Sequence, residues 1–287
     1  MRFGVREICN VVFKATTERK IGGTTFKKGA PVLYFDSLKT SSMEQATTTV
    51  YAQGGRGNTR LVAWEGEKTL TFTMEDALIS EMGLAILSGA NLFKAGGDDT
   101  LLVHVTEVTN TGKVTKAPAT PKDGKDVVAF YALEMNENGD IIGEPIKVTI
   151  TGADNTVTGI TTGKPYLIDY YIEKTSGAFQ IDIEPESFGG NFYIEADTLF
   201  RDTSGADHAA QFIIPNGKIQ SNFTLTMASS GDPSTFTFTV DAFPGYVNGD
   251  LTKKVMASIQ VLEDVYGIDT ESDVAGDKED IIVAQTN

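Results

Sequence analysis

His104 and His208 are the chain's two histidines and Cys9 is its one cysteine. These are the side chains best suited to moving a proton or attacking a carbonyl. Such chemistry needs a nucleophile, a base in hydrogen-bond reach and a group that orients the base. Asp207-His208 in "RDTSGADHAA" is the one base-and-orienter pair on offer, and it would serve a hydrolase. A solvated histidine in an exposed loop is the better reading of it. His104 lies in the apolar run "LLVHVTEV" and reads as a strand residue. Cys9 lies in "REICNVVFKA", where alternation puts Glu7, Cys9, Val11 and Phe13 on one face, and it reads as a small core residue. One Cys and two scattered His cannot supply the usual zinc ligand spacing. Asp98-Asp99 after Gly96-Gly97 falls far short of a calcium loop and suits a turn. "GGRGN" at 54–58 lacks the GK[ST] ending and the following helix of a phosphate cradle. Trp64 and the phenylalanines have the faces of a sugar platform, but they sit on alternating strands, where packing is the commoner use. The expectation is no catalytic residue, no cofactor and no metal.

The elements that would position these residues are mostly strands. "PVLYFDSLKT" and "SSMEQATTTVYAQ" alternate, the second with a Thr-rich face suited to an edge or a partly solvated ribbon. "TRLVAWE" and "EKTLTFTME" read as paired strands joined by a tight Glu65-Gly66 turn. Glu75-Asp76 then marks a strand-to-helix junction. The one convincing helix is "SEMGLAILSGA", with Ser80 as N-cap, Glu81 in the first turn and Gly89 at the C′ position. At about two turns it must lie against a sheet or a neighbouring subunit. Later strands read from "NFYIEADTLFRD", "HAAQFIIPNGKIQSNFTLTMAS" and a hairpin turning at Gly231-Asp232-Pro233. Between them, short strands with turn signals at "NENGD", "TGADN" and "TTGKP" have the spacing of a small Ig-like sandwich. The fold class expected is mainly β: a two-sheet antiparallel sandwich or barrel with one short helix, interrupted by a small Ig-like β domain. The outer domain is drawn at 1–110 and 176–268, the insert at 111–175 and an acidic C-terminal tail at 269–287.

Bulk composition narrows the classes. The chain has 287 residues, and Lys+Arg 24 against Asp+Glu 39 give −15. That opposes wrapping nucleic acid, which depends on cations against phosphate. It does not oppose DNA sliding past an acidic wall that repels its backbone. A single cysteine rules out a disulfide within the chain and suits cytosolic folding. "MRFGVREICNVVFK" lacks the apolar stretch of a signal peptide, and Asn222-Phe223-Thr224 is read as a chance sequon. No apolar run approaches the length of a membrane span.

Three features together carry a resemblance. One is "VYAQGGRGNTRLVAWEGEKTLTFTMEDALISEMGLAILSGA". The second is "SNFTLTMASSGDPSTFTFTVDAF". The third is the spacing between them, where a small domain fits. The chain resembles the tail tube proteins of tailed bacteriophages, in particular those with contractile, myovirus-like tails. The resemblance implies six subunits in a ring whose inner sheets close into a β-barrel, and rings stacked into a hollow tube. It implies a sheath around the tube, a tape-measure protein and then DNA within the lumen, a baseplate initiator, no membrane, and an outward-pointing insert. The place of action would be the virion tail, assembled in the host bacterial cytoplasm. Gln53, Arg56, Asn58 and Arg60 would contact the next ring, and Glu75 and Asp76 would join them at the subunit interface. A reading from another class is a carbohydrate- or cell-surface-binding β module of a virion, with Trp64 as its platform.

Overall fold

The computed structural model describes residues 2–5, 7–21, 23–96, 99–119, 129–222, 229, 235–247 and 249–265. The acidic tail at 269–287, the turn at Gly231-Asp232-Pro233, Asp98 and the sequon's Phe223 and Thr224 lie outside them. In chain order the elements are β1 (Phe3–Val5), β2 (Asn10–Ala15), β3 (Arg19–Ile21), β4 (Thr24–Phe26), β5 (Pro31–Phe35), β6 (Leu38–Gly54), β7 (Thr59–Asp76) and α1 (Glu81–Ser88). Then come β8 (Asn91–Lys94), β9 (Leu101–Thr109), β10 (Phe130–Met135), β11 (Ile141–Thr151), β12 (Thr156–Thr158), β13 (Tyr166–Lys174) and β14 (Phe179–Asp182). β15 (Asn191–Asp202), β16 (Asp207–Ile219), β17 (Phe236–Ala242) and β18 (Ser258–Val265) complete the series. The fold is mainly β, with one helix among the described residues. It divides into a larger unit, up to Asn91 and from Asp182 on, and a smaller one spanning Leu92–Ile181.

The larger unit is built on one antiparallel sheet of nine strands in the order β5-β2-β15-β16-β17-β7-β6, with β1 on β15 and β18 on β16. Period-two alternation decides which side faces the core. Val11 and Phe13, Phe192 and Ile194, and Phe236, Phe238 and Val240 all point inward and are buried. The sheet cannot be flat. β2 lies three ladder steps from β17, roughly 14 Å in a flat sheet, and β5 lies four steps away, roughly 19 Å. Yet the Phe13 and Phe238 rings are 6.4 Å apart and those of Phe35 and Phe238 5.0 Å apart. The sheet therefore curls until its two ends face each other. The two layers expected from the sequence are two ends of one hydrogen-bonded sheet, and the phenylalanines fill the space between.

The helix α1 packs Ile86 and Leu87 into that core. Ser80 caps it, its hydroxyl accepting from the Gly83 N–H at 2.9 Å. At the other end the Ala90 N–H reaches Ala85 O and the Gly89 N–H reaches Ile86 O, the paired bonds of a Schellman ending. Gly89 has φ 68, and a Cβ there would meet the Phe188 backbone carbon at 2.4 Å. Glycine is required both by the left-handed backbone and by the close approach.

The smaller unit carries a five-stranded antiparallel sheet in the order β12-β11-β10-β13-β9. β9, which precedes residue 111, pairs with β13 from Leu101↔Lys174 to Thr109↔Tyr166. Ala132, Ile168 and Tyr170 form a core on one face. The segment after β9 lies over that face, with Val114 buried in the cluster. The Glu107 carboxylate ties it down, accepting from the Thr115 N–H and hydroxyl and from the Tyr170 hydroxyl. Burial, and then that carboxylate, push the Tyr170 phenol up to about 12. β8 and β14 pair with each other in a separate two-stranded ribbon.

Candidate assembly interface

β6 and β7 pair from Leu38↔Asp76 at the base to Gly54↔Thr59 at the tip. "TRLVAWEGEKTLTFTMED" is thus a single 18-residue strand, and the expected turn at Glu65-Gly66 is instead a β-bulge inside it. The Glu67 N–H donates to Thr48 Oγ1 at 2.9 Å across the irregularity. A Cβ on Gly66 would meet that oxygen at 2.6 Å, so glycine here allows close strand approach and not a reversal. The reversal lies at "GGRGN", where Gly55, Gly57 and Asn58 have φ 78, 91 and 51. The Asn58 N–H closes the turn on Gly55 O at 3.2 Å, and its side-chain amide donates to Gln53 Oε1 at 3.2 Å.

Along this hairpin the surroundings change halfway. Near the base β7 pairs with β17, and Phe72, Met74 and Asp76 are buried. β17 reaches only to Thr71, and residues 59–69 are exposed on both faces. Among the described residues the outer half is a bare two-stranded ribbon roughly 35 Å long. Two strands alone are marginal in water. This pair also exposes large apolar groups. Val50 sits opposite Trp64 and Ala52 opposite Val62 on one face, with Val50 64% and Trp64 56% exposed. On the other face the Arg60 guanidinium lies 4.0 Å from the Tyr51 ring centroid. Leu61, the extra residue of a second bulge, is 64% exposed. A ribbon with apolar side chains on both faces and few backbone partners is a surface awaiting cover.

A family model for the YomU/Tube protein family matches residues 19–258, which takes in the ribbon, α1, the smaller unit and β15 to β17. The chain belongs to the YomU/Tube protein family. No curated protein matches it. Membership makes this a tube-type structural protein, in line with the phage tail tube resemblance of its sequence.

In this YomU/Tube-family chain the residues expected at the interface fall into two groups. Gln53, Arg56, Asn58 and Arg60 gather at the ribbon tip. Glu75 and Asp76 sit at the opposite end of β7, roughly 50 Å away along the strand. Asp76 is 4% exposed and is taken up within the chain: Ser37 Oγ donates to it at 2.6 Å and the Leu78 N–H at 3.2 Å. Glu75 is half-buried and accepts from the Thr40 and Thr235 hydroxyls. The sequence reading missed the apolar part of the surface. Val62 and Trp64, opposite Ala52 and Val50, alternate like core residues, and among the described residues no third strand covers them.

The titratable residues are arranged differently from expectation in one place. His208 is not in an exposed loop but on β16, opposite Phe200, and is 3% exposed. The run read as a strand from His208 already alternates through His208 and Ala210, and that was the available signal. Its partner is Asp202, with Nε2 to Oδ2 at 3.2 Å. Asp207 is held instead by Arg201 in a two-pronged contact at 2.6 and 2.7 Å. The Ser204 hydroxyl and then His208 hold the Asp202 carboxyl well below the usual range, and Asp202 raises the His208 ring in turn. His208 Nδ1 makes no hydrogen bond, though the Leu262 and Glu263 carbonyls lie near enough to favour the protonated ring. His104 is an exposed residue of β9 and meets Asp169 at 2.8 Å. Cys9 is a buried free thiol whose pKa burial raises. No group of three or more metal-ligating side chains occurs among the described residues, and none of their helices is long and apolar enough to cross a membrane.

Proposed function

We propose that this protein is the subunit of a phage tail tube and polymerises as stacked hexameric rings that conduct DNA during ejection. The observation that carries the reading is the outer half of β6–β7. A tube-family chain extends its longest hairpin away from its own core with Trp64, Val50, Leu61 and Val62 uncovered. In the ring, β6 would pair with a neighbouring subunit. It ends the sheet, and its outer edge has no partner among the described residues. The tip, with Gln53, Arg56, Asn58 and Arg60, would reach the next ring. Glu75 and Asp76 would shape the hairpin's root at the subunit boundary. The acidic charge suits a lumen through which the tape-measure protein and then DNA pass without sequence-specific binding. A sheath would surround the tube, a baseplate initiator would start it, and the smaller unit, an Ig-like insert in this reading, would point outward. Assembly would take place in the host bacterial cytoplasm.

Negative-stain electron microscopy of concentrated protein, with mass measurement of the species present, tests this. Stacked rings with a central hole are expected, and removal of residues 48–66 should leave a folded monomer. Monomers alone at every concentration, with and without an initiator complex, would overturn the proposal.

A further inference from the structure

The ribbon tip has a chemical counterpart elsewhere in the same unit. From Gln45 to Trp64 the sequence contains Arg56 and Arg60 and no carboxylate, in a chain whose formal charge is −15. Beside the N-terminal segment lies a cavity of about 580 Å³ whose lining includes Glu7, Asp36 and Asp197 and no Lys or Arg. Its apolar lining includes Ile8, Leu38, Leu199 and Leu262. A second cavity of about 420 Å³ continues from it through Glu7, Cys9 and Thr198 to Met43 and Phe72. Glu7 and Asp36 are exposed and have no cation within ion-pair distance among the described residues, though Arg201, already paired with Asp207, lies near enough to feel the Glu7 charge. Among the described residues Asp197 accepts only from the Gln211 amide, at 2.7 Å. Ile8, Ile259 and Leu262 stand exposed around it at 43%, 58% and 59%.

We infer that this groove receives the ribbon tip of a second copy of the chain, with Leu61 and Val62 entering the apolar part and Arg56 and Arg60 facing Glu7, Asp36 and Asp197. The inference rests on the tube reading and names the acceptor surface it needs. Charge selects the occupant: a neutral apolar segment would leave the carboxylates uncompensated, and an acidic one would be repelled. Tip and groove are different patches, so the contact is head-to-tail. It propagates from copy to copy, which a self-complementary patch does not do.

Charge reversal tests it. R56E/R60E and E7K/D36K should each raise the protein concentration needed for assembly by about ten-fold or more, and the four-fold variant combining them should recover most of the loss. Cross-linking gives an independent reading. Ile8→Cys in one Cys9→Ser chain and Leu61→Cys in another should form a disulfide on mixing, in assembled material only. Phe179→Cys in place of Ile8→Cys should not. Tubes from E7K/D36K at the parent's concentration, or assembled material lacking the 8–61 bond, would overturn the groove assignment while leaving the tube reading standing. A parent that never assembles would remove both.

Discussion

The two halves of one hairpin obey different rules. At its base, β6 and β7 are ordinary strands of a closed core: Phe72 and Met74 are at 2% and 0% exposure, and β17 continues the ladder. Eight to twelve residues away on the same β7, Trp64 and Val62 alternate in the same way and touch no core among the described residues. The sequence alternation does not change between them, but the bulge at Gly66 turns Trp64 and Val62 to the other face, and β17 no longer pairs there. Alternation reports that a strand expects burial, and it does not report whether the burying surface belongs to the same chain. In the base half the chain supplies that surface. In the outer half, on the proposed assembly, a second molecule supplies it.

This contrast can be broken most severely at the core. Phe238 contacts Phe13 and Phe35 across the curl of the sheet and Phe236 on its own strand. Phe238→Ala should cost about 3–5 kcal/mol, a large share of the stability of an ordinary domain. Chemical denaturation followed by circular dichroism would read it, and a loss under about 1 kcal/mol would contradict the folded-over sheet. Gly89→Val comes next. It places a β-branched side chain at φ 68 against the Phe188 backbone, and both penalties act together. A loss of about 2–3 kcal/mol is expected in the same assay. Ser80→Ala removes one cap bond and should cost about 1 kcal/mol, with Ser80→Asp recovering it.

Much of this was legible beforehand and some was not, for physical reasons. The helix ends were legible because capping is local: Ser80 and Gly89 act within four residues of themselves. The alternating core of β2, β15 and β17 was legible for the same reason. Gly66 was not, because a glycine that ends a strand and one that lets Thr48 approach a continuing strand look alike without the partner strand. His208 was missed because Asp207 beside it suggested a pair, whereas neighbours on a strand point to opposite faces. The acceptor groove was invisible, since Glu7, Asp36 and Asp197 meet only through tertiary structure.

The His208–Asp202 pair gives a smaller effect that depends on pH. His208 binds its proton more tightly when folded than its ordinary value of 6.5 implies, so its contribution is complete below that pH and fades as pH rises through the raised value. Asp202 is depressed from 3.8, so its contribution is present above that pH and fades on acidification through the lowered value. The pair should therefore stabilise the larger unit most between about pH 4 and pH 6.5. Melting temperatures of the parent should fall between pH 6.5 and pH 8.5, and His208→Gln should flatten that slope. An unchanged slope in the variant would show that His208 is not its source.

The smallest effect on the isolated chain should come from Trp64→Ala, and it is the most informative about the comparison. Trp64 lies opposite Val50 on a two-stranded ribbon and is 56% exposed, so truncating it removes one cross-strand pair and little buried area. The monomer's stability should change by less than about 1 kcal/mol. Assembly should change far more, because buried tryptophans are among the residues that dominate interfaces. Measuring monomer melting and tube formation on the same preparation separates the halves. A variant that melts like the parent but no longer polymerises assigns the outer ribbon to a partner. A variant that loses several kcal/mol as a monomer would mean that the ribbon is already covered within its own chain, and the division between base and tip would fail.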